Sequence, residues 1–271
     1  MPTRRNIYLF YKPTKEIEEK IAPLKKLVTQ FNFNIVSDHK EANIIISIGG
    51  DGSFLQALRK TGFQEESLYL GINTGDHLGF YTDFTLNDFE AIISAMQEEK
   101  IEVLRYPTLE VSVNNEKPFY CLNECTIRSN VIRTFVMDVF IDDMHFETFR
   151  GDGLIASTPT GSTAYNKSVG GAVVDPRINS IQLTEVASLN NNEFRTLGAP
   201  LILSGESTIT LKIVQDGNDY PIIGADNEAL SIRHCHDVQI KLSDKKIKMI
   251  KLKNNSFFQK VQNTFFDKPC Y

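Results

Sequence analysis

Four short segments carry residue types suited to chemistry. Gly49-Gly50-Asp51-Gly52-Ser53 places one carboxylate among glycines, directly after the apolar run Ala42-Asn43-Ile44-Ile45-Ile46-Ser47-Ile48. Glycine adopts backbone angles closed to other residues and lets a phosphate come close to the main chain. An aspartate held in such a turn suits phosphoryl transfer, and it equally suits capping the next helix. Thr158-Pro159-Thr160-Gly161-Ser162-Thr163-Ala164-Tyr165-Asn166-Lys167-Ser168, followed by Gly170-Gly171, collects hydroxyls, backbone donors and one aromatic ring. Hydroxyls and amides at a helix start suit a nucleotide's sugar or phosphate, and a tyrosine face suits a purine. Taken alone, the run reads equally as a Ser/Thr-rich turn that caps a helix. Asn123-Glu124 interrupts the apolar residues Cys121, Leu122, Cys125 and Ile127, so the charge must face solvent or a ligand. Arg150-Gly151-Asp152-Gly153 fits close approach by a ligand or a plain turn.

The elements that must position these residues fall into two patterns. Up to about residue 100, strand and helix signals alternate. Ile7 to Phe10 reads as a strand. Ile17, Ile21, Leu24, Val28 and Phe31 recur at helical spacing behind Thr14 as N-cap, with Pro23 expected to kink or split the helix. Strands are expected over 33–36, 44–48 and 68–72, a short helix over 54–60, and a helix carrying Phe89, Ile92, Ile93 and Met96 from about Asn87 or Asp88. Short apolar strands separated by helices imply a parallel sheet covered on both faces. Ligands of such sheets bind beyond the carboxyl ends of the strands. Both Gly49 to Ser53 and Gly71-Ile72-Asn73-Thr74-Gly75 stand at such ends.

From about residue 101 the chain reads as mostly β, with strands over 101–113, 121–128, 137–149, 155–157, 201–203, 208–213, 231–233 and 238–242. Asp142-Asp143 is expected to form a hairpin turn. Arg105-Tyr106-Pro107 is the best boundary between the halves. The expected division is therefore an α/β domain over 1–104, a β-rich domain over 105–250, and a tail over 251–271. Phe257, Phe258, Val261 and Phe265 give that tail a helical apolar face to pack on the body or on a second subunit.

With 271 residues, 41% hydrophobic and 23% charged, the chain is long enough for one large or two ordinary folded domains. A net charge of −5 argues against a general nucleic-acid surface. No apolar run approaches the ~20 residues that span a bilayer, and the N-terminus lacks a signal-peptide segment. The four cysteines and five histidines form no metal-binding pattern. The expectation is a cytoplasmic protein with free thiols, no built-in metal, and neither membrane nor nucleic-acid partners.

Gly49-Gly50-Asp51-Gly52-Ser53, Asn73-Thr74-Gly75 with Leu78-Gly79-Phe80, Asn123-Glu124 and Thr158 to Tyr165 stand in the order and approximate spacing of NAD kinases. The resemblance covers roughly residues 43 to 230 and is nearest to Gram-positive bacterial members. The first motif is shared with diacylglycerol kinases, sphingosine kinases and phosphofructokinases. The Thr-Pro-Thr-Gly-Ser-Thr-Ala-Tyr run with Asn-Glu upstream is much more specific. The resemblance implies a Rossmann- or phosphofructokinase-like α/β domain with a parallel sheet, a β-rich second domain, and NAD between them. It implies transfer of phosphate from ATP, or from polyphosphate, to the 2′-hydroxyl of the adenosine ribose of NAD, giving NADP. A divalent metal, Mg²⁺, would accompany ATP, and the chain would form a homodimer or homotetramer.

By the same resemblance Asp51 is the general base. Gly49, Gly50, Gly52 and Ser53 form the phosphate loop. Asp51 and Gly52 also touch NAD, and Asn123 and Glu124 contact its adenosine portion. Thr163, Ala164, Tyr165 and Ser168 line the adenine pocket with Phe80, and Asn166 and Lys167 also bind NAD. Arg150, Asp152 and Ala187 lie toward the nicotinamide half. The chain departs from the family pattern at Ser53, where Thr is commoner, at Asn227 after Asp226, and at Asp76-His77. There is no Gly-x-x-x-x-Gly-Lys-Ser/Thr, so the phosphate site is not a P-loop. A carboxylate does not ionise a ribose hydroxyl in the ground state. It orients the hydroxyl and takes the proton as the new bond forms, a contribution typically of about 10²–10⁴-fold. Two rival readings remain: a lipid or sugar-phosphate kinase of the same superfamily, and a non-catalytic dinucleotide sensor.

Overall fold

A computed structural model describes residues 5–75, 79–97, 101–214, 221–232, 234–252 and 256–266. The chain runs β1 (Asn6–Phe10), α1 (Lys15–Gln30), β2 (Asn34–Ile35), β3 (Ile44–Ile48), α2 (Asp51–Lys60), β4 (Leu68–Asn73), β5 (Phe84–Thr85) and α3 (Phe89–Gln97). It continues through β6 (Ile101–Val113), β7 (Phe119–Cys121), β8 (Glu124–Arg128), β9 (Phe135–Ile141), β10 (Met144–Gly151), β11 (Gly153–Ser157), α4 (Tyr165–Ser168) and β12 (Ser180–Val186). The last elements are β13 (Leu201–Ser204), β14 (Thr208–Ile213), β15 (Ile222–Ala225), β16 (Glu228–Ser231), β17 (Asp237–Leu252) and α5 (Phe257–Phe265). These divide into two compact units. One holds the residues up to Tyr106 and those from Lys246 onward; the other is Pro107–Lys245.

In the first unit β4, β3, β1 and β2 are parallel neighbours, and the end of β17 adds parallel to β4, with Lys248 opposite Leu68. Every residue of β3 is buried, which is why the strand is apolar on both faces apart from Ser47 rather than alternating. Ile44, Ile46 and Ile48 share a core with Ile21, Leu24 and Val28 of α1, and Ile45 points to the opposite face. Thr14 caps α1, its Oγ1 accepting from the Ile17 N–H at 3.3 Å. The helix is continuous through Pro23, so the expected split does not occur. Pro23 is exposed, so the carbonyl it leaves without a partner in the helix faces water, while Ile21 and Leu24 anchor the turns on either side.

The second unit is antiparallel. β10, β9, β14 and the start of β17 form one sheet; β13, β12, β11, β8, β15 and β16 form the other. Both contribute to one core, in which Val139, Phe149, Ile209 and Val238 meet Cys125, Ile127, Leu154, Ile181 and Ile223. Asp142 and Asp143 adopt φ of 50° and 67°, giving the hairpin turn between β9 and β10. The parallel first unit and β-rich second unit are the fold class read from the sequence. Three strands, β5, β12 and β15, carry no counterpart in that reading. The expected strand over 121–128 is broken at Leu122 and Asn123, and Arg233 lies outside the described residues.

Candidate active site

Strand β3 ends at Ile48, and Gly49 then takes a φ of 146°, where a Cβ would also collide with the Ser53 side chain. Gly50 caps α2 without a side-chain bond, so Asp51 is the first residue of the helix rather than its cap. Its carboxylate turns to the segment following Gly79. Asp51 Oδ2 accepts from the Phe80 N–H at 2.7 Å, and Oδ1 accepts from the Tyr81 and Thr82 N–H groups at 3.0 and 3.2 Å and from Thr82 Oγ1 at 3.1 Å. A Cβ at position 79 would run into this carboxylate, which explains the glycine there. Behind it, Asn73 Nδ2 donates to Thr82 Oγ1 at 3.0 Å and Asn73 Oδ1 accepts from the Gly75 N–H at 2.6 Å. The two glycine-rich turns seen in the sequence thus meet through one aspartate. Asp76, His77 and Leu78 lie outside the described residues.

A second carboxylate organises the Asn123-Glu124 segment. Asp226, at φ 51°, accepts from the N–H groups of Leu122, Asn123 and Glu124 at 3.0, 2.7 and 3.3 Å. These are donors a continuous strand would send into its ladder, which explains the break between β7 and β8. The Thr158-to-Thr163 run closes on the same corner. Thr158 Oγ1 donates to the Leu122 carbonyl at 2.6 Å, and Gly161 lies so close to Asn123 that a Cβ would strike its backbone. Ser162 Oγ donates to the Pro159 carbonyl at 2.6 Å and accepts from the Val174 N–H at 2.9 Å. The hydroxyls that suggested ligand contacts are largely used inside the turn.

Glu124 is only 5% exposed, and its Oε2 is buried with no hydrogen-bond partner. Burial, assisted by the nearby Asp226 charge, pushes its pKa up to about 8. The carboxyl is therefore mostly protonated at neutral pH. Ser157, directly opposite on β11, likewise buries a hydroxyl without a partner. Cross-strand partners share a sheet face, so Glu124, Thr126, Arg128, Ser157, Gln182 and Thr184 form a polar face opposite the core. α4 lies over part of that face. The Tyr165 hydroxyl accepts from Arg128 Nη1 at 3.1 Å, and Asn166 Oδ1 accepts from Thr184 Oγ1 at 2.7 Å. Asn166 Nδ2 is spent on the Ser162 and Ala172 carbonyls, so this buried amide positions the turn. Thr163 Oγ1 donates to the Thr160 carbonyl and Ser168 Oγ to the Tyr165 carbonyl. Tyr165 and Ala164 are half-buried, and Lys167 and Ser168 are exposed.

Arg150, Asp152 and Ala187 are brought together by the junction of β10 and β11 with the end of β12. The Asp152 N–H donates to the Val186 carbonyl at 2.9 Å and the Leu189 N–H to the Arg150 carbonyl at 2.7 Å. A Cβ on Gly151 would meet the Ala187 carbonyl, and Ala187 itself has a φ of 47°. The Arg150 guanidinium stacks 4.3 Å from the Phe194 ring. Phe194 and Arg128 escaped the sequence reading, since nothing in their local pattern marks them. Phe80, read as an adenine contact, packs its ring against Phe257 and Phe265 of α5, with centroids 6.0 and 6.2 Å apart.

Residues 12–101 match the family model of the ATP-NAD kinase N-terminal domain, and residues 122–252 that of the C-terminal domain. The chain is 62% identical to NAD kinase 2 of Halalkalibacterium halodurans over 98% of its own length and 100% of that protein. It is 57% identical to NAD kinase 2 of Bacillus subtilis over 97% of its length and 98% of that protein. Among solved structures, an NAD kinase from Archaeoglobus fulgidus in complex with ATP superposes with a TM-score of 0.76 at 25% identity, covering 95% of this chain and 98% of that one. Yeast NADH kinase complexed with NADH shares the fold, with a TM-score of 0.81 at 19% identity over 98% of this chain and 89% of that one.

Proposed function

The chain belongs to the NAD kinase family, and from that premise we propose how its residues divide the work of phosphorylating the 2′-hydroxyl of the adenosine ribose of NAD with ATP. The observation that carries the reading is the Asp51 carboxylate, held by four donors at the start of a helix that follows a parallel strand. Oδ1 takes three of those donors. Oδ2 takes one, which leaves it the oxygen able to accept the hydrogen bond of the 2′-hydroxyl and then its proton as the phosphorus–oxygen bond forms. A carboxylate fixed in this way needs no reorganisation at the moment of transfer.

Gly49, Gly50, Gly52 and Ser53 serve as the phosphate loop, where bare backbone permits close approach. Asn123 and the neutral Glu124 contact the adenosine portion, and the unpartnered Glu124 Oε2 supports this role. Tyr165, tethered by Arg128, supplies the face for the adenine ring beside Thr163 and Ala164. Arg150, Asp152 and Ala187 serve the nicotinamide half. ATP enters as its Mg²⁺ complex, with the metal carried by the triphosphate. When bound with ATP, the metal would supply neutralisation of charge on the transferring phosphoryl group.

The reading extends to a homodimer or homotetramer, supported by exposed Val131, Ile132, Ile178, Leu197 and Ile202 on the second unit. It also extends to work in the cytoplasm, supported by the buried free thiols of Cys121, Cys125 and Cys235; Cys270 lies outside the described residues. A coupled assay for NADP formation from NAD, run with ATP and with polyphosphate, tests the reaction and the donor together. NADP formed with ATP is the expected result; NAD binding without any NADP supports a sensor instead.

A further inference from the structure

The Asp51 carboxylate is held by a loop, and the loop is itself held by residues from the other end of the chain. The Phe80 carbonyl accepts from Lys260 Nζ at 2.7 Å and from Lys251 Nζ at 3.4 Å. That carbonyl belongs to the same peptide group as the Tyr81 N–H, which donates to Asp51 Oδ1 at 3.0 Å. One end of the peptide therefore meets an ammonium and the other end grips the carboxylate. Just beyond Thr82, Asp83 is bridged by both Lys251 and Lys260. Asp83 is 5% exposed, Lys251 1% and the Lys260 side chain 17%. The aromatic contacts of Phe80 with Phe257 and Phe265 fasten the same loop to α5.

A surface lysine that only solubilised α5 would not be directed at a carbonyl 180 positions away in sequence. Within Lys260–carbonyl–amide–Asp51, the charge polarises the peptide and strengthens the hydrogen bond on its far side. It also fixes the plane of the peptide, and so the direction in which the Asp51 carboxylate lies. Both lysines pair with Asp83, but Lys251, though more deeply buried, is longer in its bond to the carbonyl. Lys260 is thus the closer of the two to the carbonyl that controls Asp51.

We infer that Lys260 is a positioning residue for phosphoryl transfer, acting from the C-terminal helix through the Phe80–Tyr81 peptide to orient the Asp51 carboxylate. The inference rests on the reading of Asp51 as the base. It assigns to α5 a role in turnover rather than in stability alone.

The test is steady-state kinetics of the full-length enzyme carrying Lys260→Met, Lys260→Arg and Asp51→Asn, with the Lys260→Met/Asp51→Asn double variant. Lys260→Met is expected to lower kcat about tenfold, the worth of one charge-assisted hydrogen bond. Michaelis constants for NAD and ATP should stay within about twofold, since the interaction is not made to substrate. Lys260→Arg should recover most of the loss. In the Asp51→Asn background, Lys260→Met should change the residual rate less than about twofold, because the path it acts through is already cut. Should Lys260→Met not fold, Lys260→Gln, which keeps a donor and loses the charge, takes its place with the same expectations. Normal turnover in Lys260→Met or in its Lys260→Gln replacement, a change confined to a Michaelis constant, or effects that multiply with Asp51→Asn overturn the inference while leaving the base assignment intact. Normal turnover in Asp51→Asn overturns the base assignment itself.

Discussion

Asp51 and Glu124 are both carboxylic acids embedded among backbone amides, and the fold treats them in opposite ways. Asp51 receives four hydrogen bonds from the segment 80–82, while Glu124 buries an oxygen with no partner at all. Close to Glu124 the amides that might have served it go to Asp226 instead. A carboxylate rich in donors is held in one direction, whereas Glu124, buried and beside the Asp226 charge, is pushed toward its protonated form. The same side-chain chemistry thus yields an oriented hydrogen-bond acceptor in one unit and a carboxyl pushed toward its neutral form in the other. The difference is set by which acid captures the backbone donors, and the charge of the motif residue alone does not settle it.

The contrast makes amide substitution the discriminating experiment. Asp51→Asn is expected to have the largest effect. It removes the proton acceptor, a loss of about 10²–10⁴-fold in turnover, and turns an NH₂ toward the Phe80 N–H. The melting temperature should therefore fall along with kcat, and calorimetry beside steady-state rates separates the two. If turnover stays near normal, Asp51 merely pins the loop and the contrast with Glu124 loses its catalytic half.

Asp226→Ala comes next. It strands the amides of Leu122, Asn123 and Glu124, at a cost of about 1–3 kcal/mol for a buried unsatisfied donor. Thermal melts should show the loss, and NAD titration should show weaker binding. An unchanged melt would mean that the corner is held by Thr158 and Gly161 alone. Tyr165→Ala is expected to weaken NAD binding about tenfold, within the range for losing an aromatic stacking partner. ATP binding should move less, as read by calorimetric titration of each nucleotide; equal losses remove Tyr165 from the adenine pocket.

Glu124→Gln should do least. The amide copies a neutral carboxyl, so NAD affinity at pH 7 should change by no more than about threefold, while Glu124→Ala weakens it further. Its effect on stability has a sign fixed by linkage. The folded pKa of about 8 lies above the ordinary 4.5, so the folded state holds more protons between those values. The contribution of Glu124 is thus complete below about pH 4.5 and is lost as pH rises through 8. Denaturant melts from pH 5 to 9 should show Glu124→Gln gaining on the wild type toward the alkaline end. Parallel curves would mean that Glu124 is charged in the fold.

Much of the architecture was written locally. The mostly apolar run of β3, the helical spacing behind Thr14 and the Asp142-Asp143 turn follow from side-chain type and period alone. β12 was legible too: Ile181 and Leu183 alternate with Gln182 and Thr184, but the alternation sits beside the stronger glycine and hydroxyl signals before it. Pro23 misled because a rule about backbone donors takes no account of which face the proline occupies. The break after Cys121 was not visible, since its cause is a carboxylate about a hundred residues further on.

By itself the sequence determined the family, the two kinds of sheet and the short list of residues able to do chemistry, because glycines, carboxylates and hydroxyl runs mark themselves by type and spacing. Only the tertiary structure decided what each of those residues does. It spent the hydroxyls of Thr158 and Ser162 on the turn, left Glu124 without donors, and brought Lys260 to the peptide that holds Asp51. The physical reason is that protonation and orientation depend on competition for a limited set of buried donors, and the winners of that competition come from opposite ends of the chain.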